Sequence, residues 1–180
     1  MEKIILFVTF IFLLSCTEEE KKKELQTIKA DNFSIDLPQF MVKRTKPTTD
    51  TVFEYEIDSN YNSEDELYLA VYKDAKTESG QDNYTLEEYY KFVADDLLDV
   101  TLAFGSLKNI STDDINQLHA KIFEIEGSYE TGRKSLDFYF MTAVIEGKDY
   151  FYEVSVWTRI GTKEKYKLTM ENILKSFREI

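Results

Sequence analysis

Three β-rich stretches follow one another in residues 118–160, and the middle one has apolar side chains on both faces. The stretches, residues 118–129, 136–145 and 150–160, are separated by short turns containing glycine, which predicts an antiparallel meander. The middle stretch alternates two apolar sets: Leu136, Phe138, Phe140, Val144 and Tyr139, Met141, Ala143, Ile145. A sheet with one wet face would show polar residues in one of these sets, so we expect helices to cover both faces.

Two helices are predicted. The first, residues 85–104, opens with Thr85 and Glu88 at the spacing of a capping box. One side of it carries an apolar stripe at helical spacing: Leu86, Tyr89, Tyr90, Val93, Leu97, Val100 and Phe104. The other side carries carboxylates, which we interpret as a solvated surface because Lys91 follows Glu87 by four residues. The second helix follows a predicted cap at Thr162, and its buried stripe is Tyr166, Met170, Ile173, Leu174 and Phe177.

The first half of the chain predicts shorter strands. Residues 33–37 alternate apolar and polar side chains and stop at Pro38, which is typical of a half-buried strand. Residues 41–45 are predicted to form a short edge strand. Residues 52–57 and 67–72 are predicted to pair across the polar loop 58–66, and residues 105–116 are predicted to be a loop.

Residues 4–14 form an apolar run of eleven residues that ends at Leu13-Leu14-Ser15-Cys16. A membrane-spanning helix needs about 20 apolar residues, so this run is too short to remain as a span. It is apolar on all sides and has no polar face for water, which argues against a buried helix at the start of the fold. The run therefore predicts a cleaved signal peptide, and residues 1–15 are excluded from the fold.

The end of this run resembles the lipobox of bacterial lipoproteins, with Leu13, Leu14 and Ser15 before Cys16. The resemblance implies that Cys16, the sole cysteine, is acylated and becomes the new N-terminus, so the partner there is a membrane. Two or more acyl chains hold a protein stably on a bilayer, whereas one does not. Residues 16–24 read as a charged tether, and its acidic run is either a surface-export signal or a plain spacer. We expect a lipid-anchored protein of the bacterial cell envelope, on the outer membrane and facing the periplasm or the surface.

The net charge of −12 argues against nucleic acid as a partner, because phosphates would be repelled. It also argues against electrostatic adhesion to anionic lipids, which leaves the acyl chains as the attachment. Residues 25–180 suit one folded domain. The sequence leaves the oligomeric state open.

The sequence predicts no catalytic site, no metal site and no cofactor. His119 is the sole histidine, and no Gly-x-Ser-x-Gly elbow accompanies it. Asp58, Asn60 and Asn62 have the spacing of calcium ligands, but Ser63 and Leu69 stand where the calcium loop needs glycine and glutamate. We therefore expect an ordinary turn there. Hydrolysis by two carboxylates stays open as an alternative, because the sequence does not show which acids converge.

Two short motifs carry a family resemblance: Asn-Phe-Ser-Ile-Asp-Leu-Pro at residues 32–38 and Ile-Leu-Lys-Ser-Phe at residues 173–177. With the order strand, helix, three long strands, helix, the chain resembles the Mog1/PsbP-like superfamily, especially its DcrB-like lipoproteins. The resemblance implies an α+β fold, an α/β/α sandwich with a central antiparallel sheet, and no catalytic set. A cystatin-like or NTF2-like α+β fold, with one open sheet face, is the alternative.

The family's members mostly act as binding or adaptor proteins. We therefore expect a non-catalytic, lipid-anchored module that binds an envelope protein partner or an apolar ligand. The alternative is an envelope hydrolase that acts on glycan or lipid, which needs two acids within about 10 Å across a cleft.

Overall fold

A computed structural model describes residues 24–46, 51–62, 65–76, 84–101, 103–131 and 134–180. Its helices are α1 (Leu86–Asp96), extended by a π-helical turn (Leu97–Thr101), and α2 (Lys163–Lys175), preceded by a 3₁₀ turn (Ile160–Thr162). Its strands are β1 (Leu25–Lys29), β2 (Phe33–Pro38), β3 (Met41–Lys43), β4 (Phe53–Ile57), β5 (Leu67–Ala75), β6 (Ala103–Ile115), β7 (Leu118–Thr131), β8 (Lys134–Glu146), β9 (Tyr150–Arg159) and β10 (Arg178–Glu179).

Seven of these strands form one sheet in the order β3-β4-β5-β9-β8-β7-β6, and every pair is antiparallel. The predicted meander is β7-β8-β9, and the predicted pair 52–57 and 67–72 is β4-β5. A second sheet holds β1-β2-β10, also antiparallel. Strands β1 and β10 are absent from the sequence prediction.

Both faces of the seven-stranded sheet are covered. We call face A the one that carries Tyr139, Met141, Ala143 and Ile145, and face B the one that carries Phe138, Phe140, Thr142 and Val144. Helix α2 and the small sheet pack on face A, and α1 packs on face B over β7, β8 and β9. The α+β sandwich predicted from β8 is confirmed, and the open-faced alternative is not what the chain adopts.

Three aromatic rings join the small sheet to face A. Phe33 of β2 stacks on Phe177 with ring centroids 5.4 Å apart, and Tyr152 of β9 lies 4.9 Å from Phe177. All three are essentially inaccessible to water. Since buried aromatic rings contribute the largest apolar areas, this trio fixes the C-terminal segment after α2 to the sheet.

The sequence prediction was wrong about the end of the first helix. It placed residues 85–104 in one helix and residues 105–116 in a loop, whereas the α-helix ends at Asp96 and β6 starts at Ala103. Phe104, assigned to the buried stripe, is 89% exposed and has a φ of 57°. Strand β6 is a bulged edge strand with mostly exposed side chains, so it has no apolar period for a sequence to display.

The two predicted helix caps differ in outcome. Thr85 forms the full capping box: its hydroxyl accepts from Glu88 N, and Glu88 accepts from Thr85 N at 2.8 Å. Thr162 does precede α2 but makes no capping hydrogen bond. Its hydroxyl donates instead to Arg159 O at 3.1 Å.

A polar chain runs beneath α1 on face B. Thr142 Oγ1 lies 2.9 Å from Ser155 Oγ, which donates to Glu153 Oε1 at 2.7 Å. Burial raises the pKa of Glu153 to about 7, and the nearby carboxylates of Asp96 and Asp74 act in the same direction. The folded state therefore retains a proton on Glu153 at a pH where the unfolded chain has lost it.

Replacing Thr85 by alanine removes one hydrogen bond to an orphan helix donor, and we expect the free energy of unfolding to fall by about 1 kcal/mol. Urea denaturation followed by circular dichroism measures it. Thr112→Ala, at an exposed position of β6, is the control and should change stability by less than about 0.5 kcal/mol. Equal losses in the two variants would mean that the capping box contributes nothing specific.

Glu153→Gln should flatten the pH dependence of stability between about pH 4.5 and pH 7. In the wild type the unfolded chain ionises first over this window, so stability falls as the pH rises, by at most about 3 kcal/mol. The amide cannot ionise and loses this slope. The measurement is the unfolding free energy at several pH values, with the exposed Glu130→Gln as control. If Glu153→Gln left the slope of stability against pH unchanged and Glu130→Gln altered it, the assignment of this pH dependence to Glu153 would be contradicted.

Candidate functional site

A row of aromatic side chains crosses three neighbouring strands on face B. Register places Tyr68 of β5 beside Trp157 of β9, and Trp157 beside Phe140 of β8. The Tyr68 and Trp157 rings stack at 5.4 Å and 21°, and the Trp157 and Phe140 rings at 5.5 Å and 14°. Phe138 meets Phe140 edge-on at 6.4 Å. We call these four residues the aromatic row.

Helix α1 covers one end of the aromatic row. Phe140 belongs to the apolar core beneath the helix and is 6% exposed. Tyr68, Trp157 and Phe138 stay partly exposed. The row is therefore anchored in the core at Phe140 and reaches water at Tyr68 and Trp157.

Two arginines flank the aromatic row. The Arg44 guanidinium lies 5.8 Å from the centre of the Tyr68 ring, and the Arg159 guanidinium 4.9 Å from that of Phe138. Glu54 holds Arg44 at 3.2 Å, while Glu66 lies 3.9 Å from Arg159. The Nη1 atom of Arg159 is buried and meets no hydrogen-bond acceptor among the residues that the structure describes. Such an atom costs free energy until an acceptor reaches it.

The stacking of Trp157 between two other rings limits the kind of ligand that the aromatic row can bind. Both faces of the Trp157 ring are taken by Tyr68 and Phe140, so a ligand meets the edge of the indole rather than its face. A planar ring of a ligand therefore has no free platform on Trp157. An uneven apolar surface with polar groups around it fits better, and tryptophan, tyrosine and arginine are the residues that dominate binding energy at protein interfaces.

A cleft of about 280 Å³ lies on the other side of the sheet, between α2 and the β6-β7 hairpin. Asp113, Glu124 and Glu171 line it, so it is where the hydrolase alternative would place its acids. Glu124 accepts from Asn109 Nδ2 at 3.0 Å and from Lys167 Nζ at 3.2 Å. Burial opposes ionisation of Glu124, but these hydrogen bonds outweigh it and lower its pKa.

Glu124 therefore stays ionised and cannot act as the general acid that glycoside hydrolysis requires. A carboxyl with a raised pKa does exist in Glu153, but it lies on face B, on the opposite side of the sheet from this cleft. The most buried acid of this cleft is thus committed to its partners Asn109 and Lys167, so the cleft gives the hydrolase alternative no positive support.

The other residues considered for chemistry serve local structure. His119 Nδ1 lies 2.7 Å from Asp114 Oδ1 on the exposed β6-β7 hairpin, and the described hydrogen bonds bring no hydroxyl to its ring. Asp58 Oδ1 accepts from both nitrogens of Asn60 at 2.9 Å, which is the local hydrogen bonding of an Asx turn. Among the described residues, no three histidine, cysteine or acidic side chains converge as a metal site.

The predicted lipidation site lies outside the described residues. Cys16 and the preceding Leu13, Leu14 and Ser15 belong to residues 1–23, so the structure does not test them. Within the described ranges, no helix combines the length and the apolar character that a membrane span requires.

The aromatic row and its arginines were missed by sequence reasoning. Tyr68 and Trp157 are far apart in the chain, and their contact depends on the β5-β9 register. The available signal was Trp157 itself, the sole tryptophan of the chain, within a stretch already predicted as a strand.

No protein-family profile and no curated protein matches the sequence. Solved structures do match. PsbP of Synechocystis is 12% identical with a TM-score of 0.57, over 87% of this chain and 92% of that one. The Ran-binding protein Mog1p of Saccharomyces cerevisiae is 11% identical with a TM-score of 0.60, over 86% and 95%. LpqN of Mycobacterium tuberculosis, which is involved in cell envelope biogenesis, is 10% identical with a TM-score of 0.54, over 87% and 90%.

At such low identities the likeness concerns the backbone arrangement and carries no residue roles. The resemblance read from residues 32–38 and 173–177 is confirmed at this level: the chain has the Mog1/PsbP-like fold.

Proposed function

We propose that this chain is an exported envelope lipoprotein, anchored through Cys16, whose folded part is a non-catalytic binding module for a protein partner. The observation that carries the binding role is the partly exposed aromatic row with its two flanking arginines. Trp157 is already fixed between Tyr68 and Phe140, so little side-chain freedom is lost when a partner covers it. Preorganised aromatic anchors of this kind are typical of interface hot spots.

An apolar ligand is the other occupant considered for the sheet, and the arginines favour a protein instead. Arg44 and Arg159 are partly exposed beside the row, and their guanidinium N–H groups need acceptors, which a backbone carbonyl or a side-chain oxygen of a partner supplies. A hydrocarbon supplies none. Two of the similar structures are consistent with this direction, since Mog1p is a Ran-binding protein and LpqN is involved in cell envelope biogenesis.

The anchor rests on the residues before Cys16. The apolar run of residues 4–14 has the length of the apolar core of a signal peptide. The small Ser15 precedes the cysteine at the cleavage point. The protein accordingly works in the bacterial envelope. Its acyl chains lie in the outer membrane, and residues 16–24 form the tether between Cys16 and the folded domain. The net charge of −12 is compatible with this, because the acyl chains need no basic patch.

Intact-mass spectrometry of the protein from membranes should find a chain that begins at Cys16 and carries a diacylglycerol and an amide-linked acyl group. Cys16→Ala should abolish the added mass and release the protein from the membrane fraction. A mature chain that still begins at Met1 with a free thiol would refute the anchor.

Tyr68→Ala should weaken partner binding at least tenfold, because it removes an exposed member of the row and the support of Trp157. The tagged protein is used to capture partners from detergent-solubilised envelope, with Cys16→Ala as the unanchored control. The partner's affinity is then measured by titration. Phe92→Ala removes an aromatic ring of α1 that is 50% exposed and lies outside the row, so it should leave the affinity unchanged. Equal affinity for both variants would show that the row is not the binding surface.

A further inference from the structure

A groove of about 360 Å³ lies on the face A side, between the small sheet and α2. Leu25 of β1 stands on one side of it and Leu168 of α2 on the other, while Pro38 and Ile173 contribute its apolar walls. Leu25 is 60% exposed and Leu168 is 68% exposed. Two large aliphatic side chains thus face water across one groove.

Two of the four polar side chains that line the groove, Asp36 and Ser176, are already engaged within the protein. Asp36 accepts from Thr27 at 2.7 Å and from Arg178 at 2.9 Å. Ser176 Oγ donates to Ile173 O at 2.7 Å and accepts from Asp36 N at 2.9 Å. The groove therefore offers mainly apolar contact from its leucines, Pro38 and Ile173, with Thr169 and Asn172 as the remaining polar side chains, and this lining fits hydrocarbon better than a polar ligand.

Leu168 breaks the pattern of its helix. The buried side of α2 consists of Tyr166, Met170, Ile173 and Leu174. Leu168 comes two residues after Tyr166, about 200° further around the axis, so it stands on the outer side of the helix. An exposed leucine has no role in the core, whereas an apolar side chain on the outer side of a helix is typical of helices that lie at a lipid surface.

The groove also lies where the tether enters the fold. Leu25 is the first residue of β1, and it is nine residues from Cys16. Nine residues span at most about 30 Å when fully extended. A bilayer that holds acyl chains on Cys16 is therefore always within that distance of Leu25, which favours a lipid surface over a freely diffusing partner.

The charges on helix α2 allow a lipid surface to approach the groove. Helix α2 carries four lysines and two glutamates in a chain of net charge −12. Three of its lysines pair with acids outside the helix: Lys163 with Glu126, Lys165 with Asp65 and Lys167 with Glu124. The helix thus neutralises the acids beside it, and this side opposes a lipid surface less than the acidic chain as a whole would.

We propose that the groove between Leu25 and Leu168 is the surface that lies against the lipid bilayer. The inference rests on the proposed anchor, which brings the membrane to the groove. Contact on the face A side holds the domain in one orientation and directs the aromatic row, on face B, away from the membrane. The row is then presented to a partner in the aqueous space.

The test couples the chain that begins at Cys16 to vesicles of phosphatidylcholine that contain a maleimide lipid, through the cysteine itself. All described strands and helices lie within this chain. The reporter is Leu168→Trp in a Trp157→Phe background, and the vesicles carry brominated acyl chains. Because the coupling is chemical, the result stands whether or not the cell acylates Cys16, so the two failures are distinguishable.

We expect the Leu168→Trp fluorescence to be quenched at least twofold and shifted to the blue when the protein is coupled to brominated vesicles. The matched reporter is Phe92→Trp in the same background, an exposed position on the opposite side of the sheet, and it should not change. Adding Leu25→Ser should reduce quenching of the Leu168→Trp reporter. If Trp157→Phe lowers the melting temperature, the same reporters are read in the wild-type chain as the difference from wild-type fluorescence.

Absent quenching of Leu168→Trp, or equal quenching of the two reporters, would overturn the proposal. A blue shift that depends on protein concentration and occurs without vesicles would also overturn it, since it would place a second copy of the chain in the groove.

Discussion

The structure depends on a central sheet in which strand β8 is apolar on both faces. Strand β8 buries Tyr139, Met141, Ala143 and Ile145 on face A, and Phe140 and Val144 on face B. If either face were exposed to water, a large apolar area would be exposed with it. Each face of the sheet therefore needs its own packed layer. Helix α1 provides it on face B. On face A the cover is shared by α2 and the small sheet, which closes over the aromatic trio Phe33, Tyr152 and Phe177.

Most of the fold could be predicted because its signals are local. The two-sided apolar pattern of β8 implies a layer on each side, and the spacing of Thr85 and Glu88 marks the start of α1. Local signals failed at β6, which is an edge strand whose bulges fall near Phe104 and Asn109. A strand paired on one side, with mostly exposed side chains, shows no apolar period, so its sequence looks like a loop.

The candidate site could not be predicted from the sequence for a different reason. Tyr68 and Trp157 come together through the register of β5 with β9, and register is a property of the assembled sheet. Arg44 reaches Tyr68 from the segment after β3, again across the fold rather than along the chain. The carboxylates of α1, by contrast, were readable: Glu87 pairs with Lys91 at 3.7 Å and with Lys121 of β7 at 2.8 Å, as a solvated helix surface does.

The two sides of the sheet have different polar organisation, and this difference connects the proposed anchoring to the proposed binding. On face A, acids of β7 are neutralised by lysines of α2, and the hairpin residue Asn116 donates to the Lys175 carbonyl at the end of that helix. This network fixes α2, and with it Leu168, relative to the sheet. On face B, α1 packs on β7, β8 and β9 but leaves Tyr68 and Trp157 partly open. Because Phe140 belongs both to the core beneath α1 and to the aromatic row, the exposed rings are held by the same packing that holds the fold. A surface built in this way loses little freedom on binding, and under the proposed lipid anchor its direction is set by the side of the sheet that lies against the membrane.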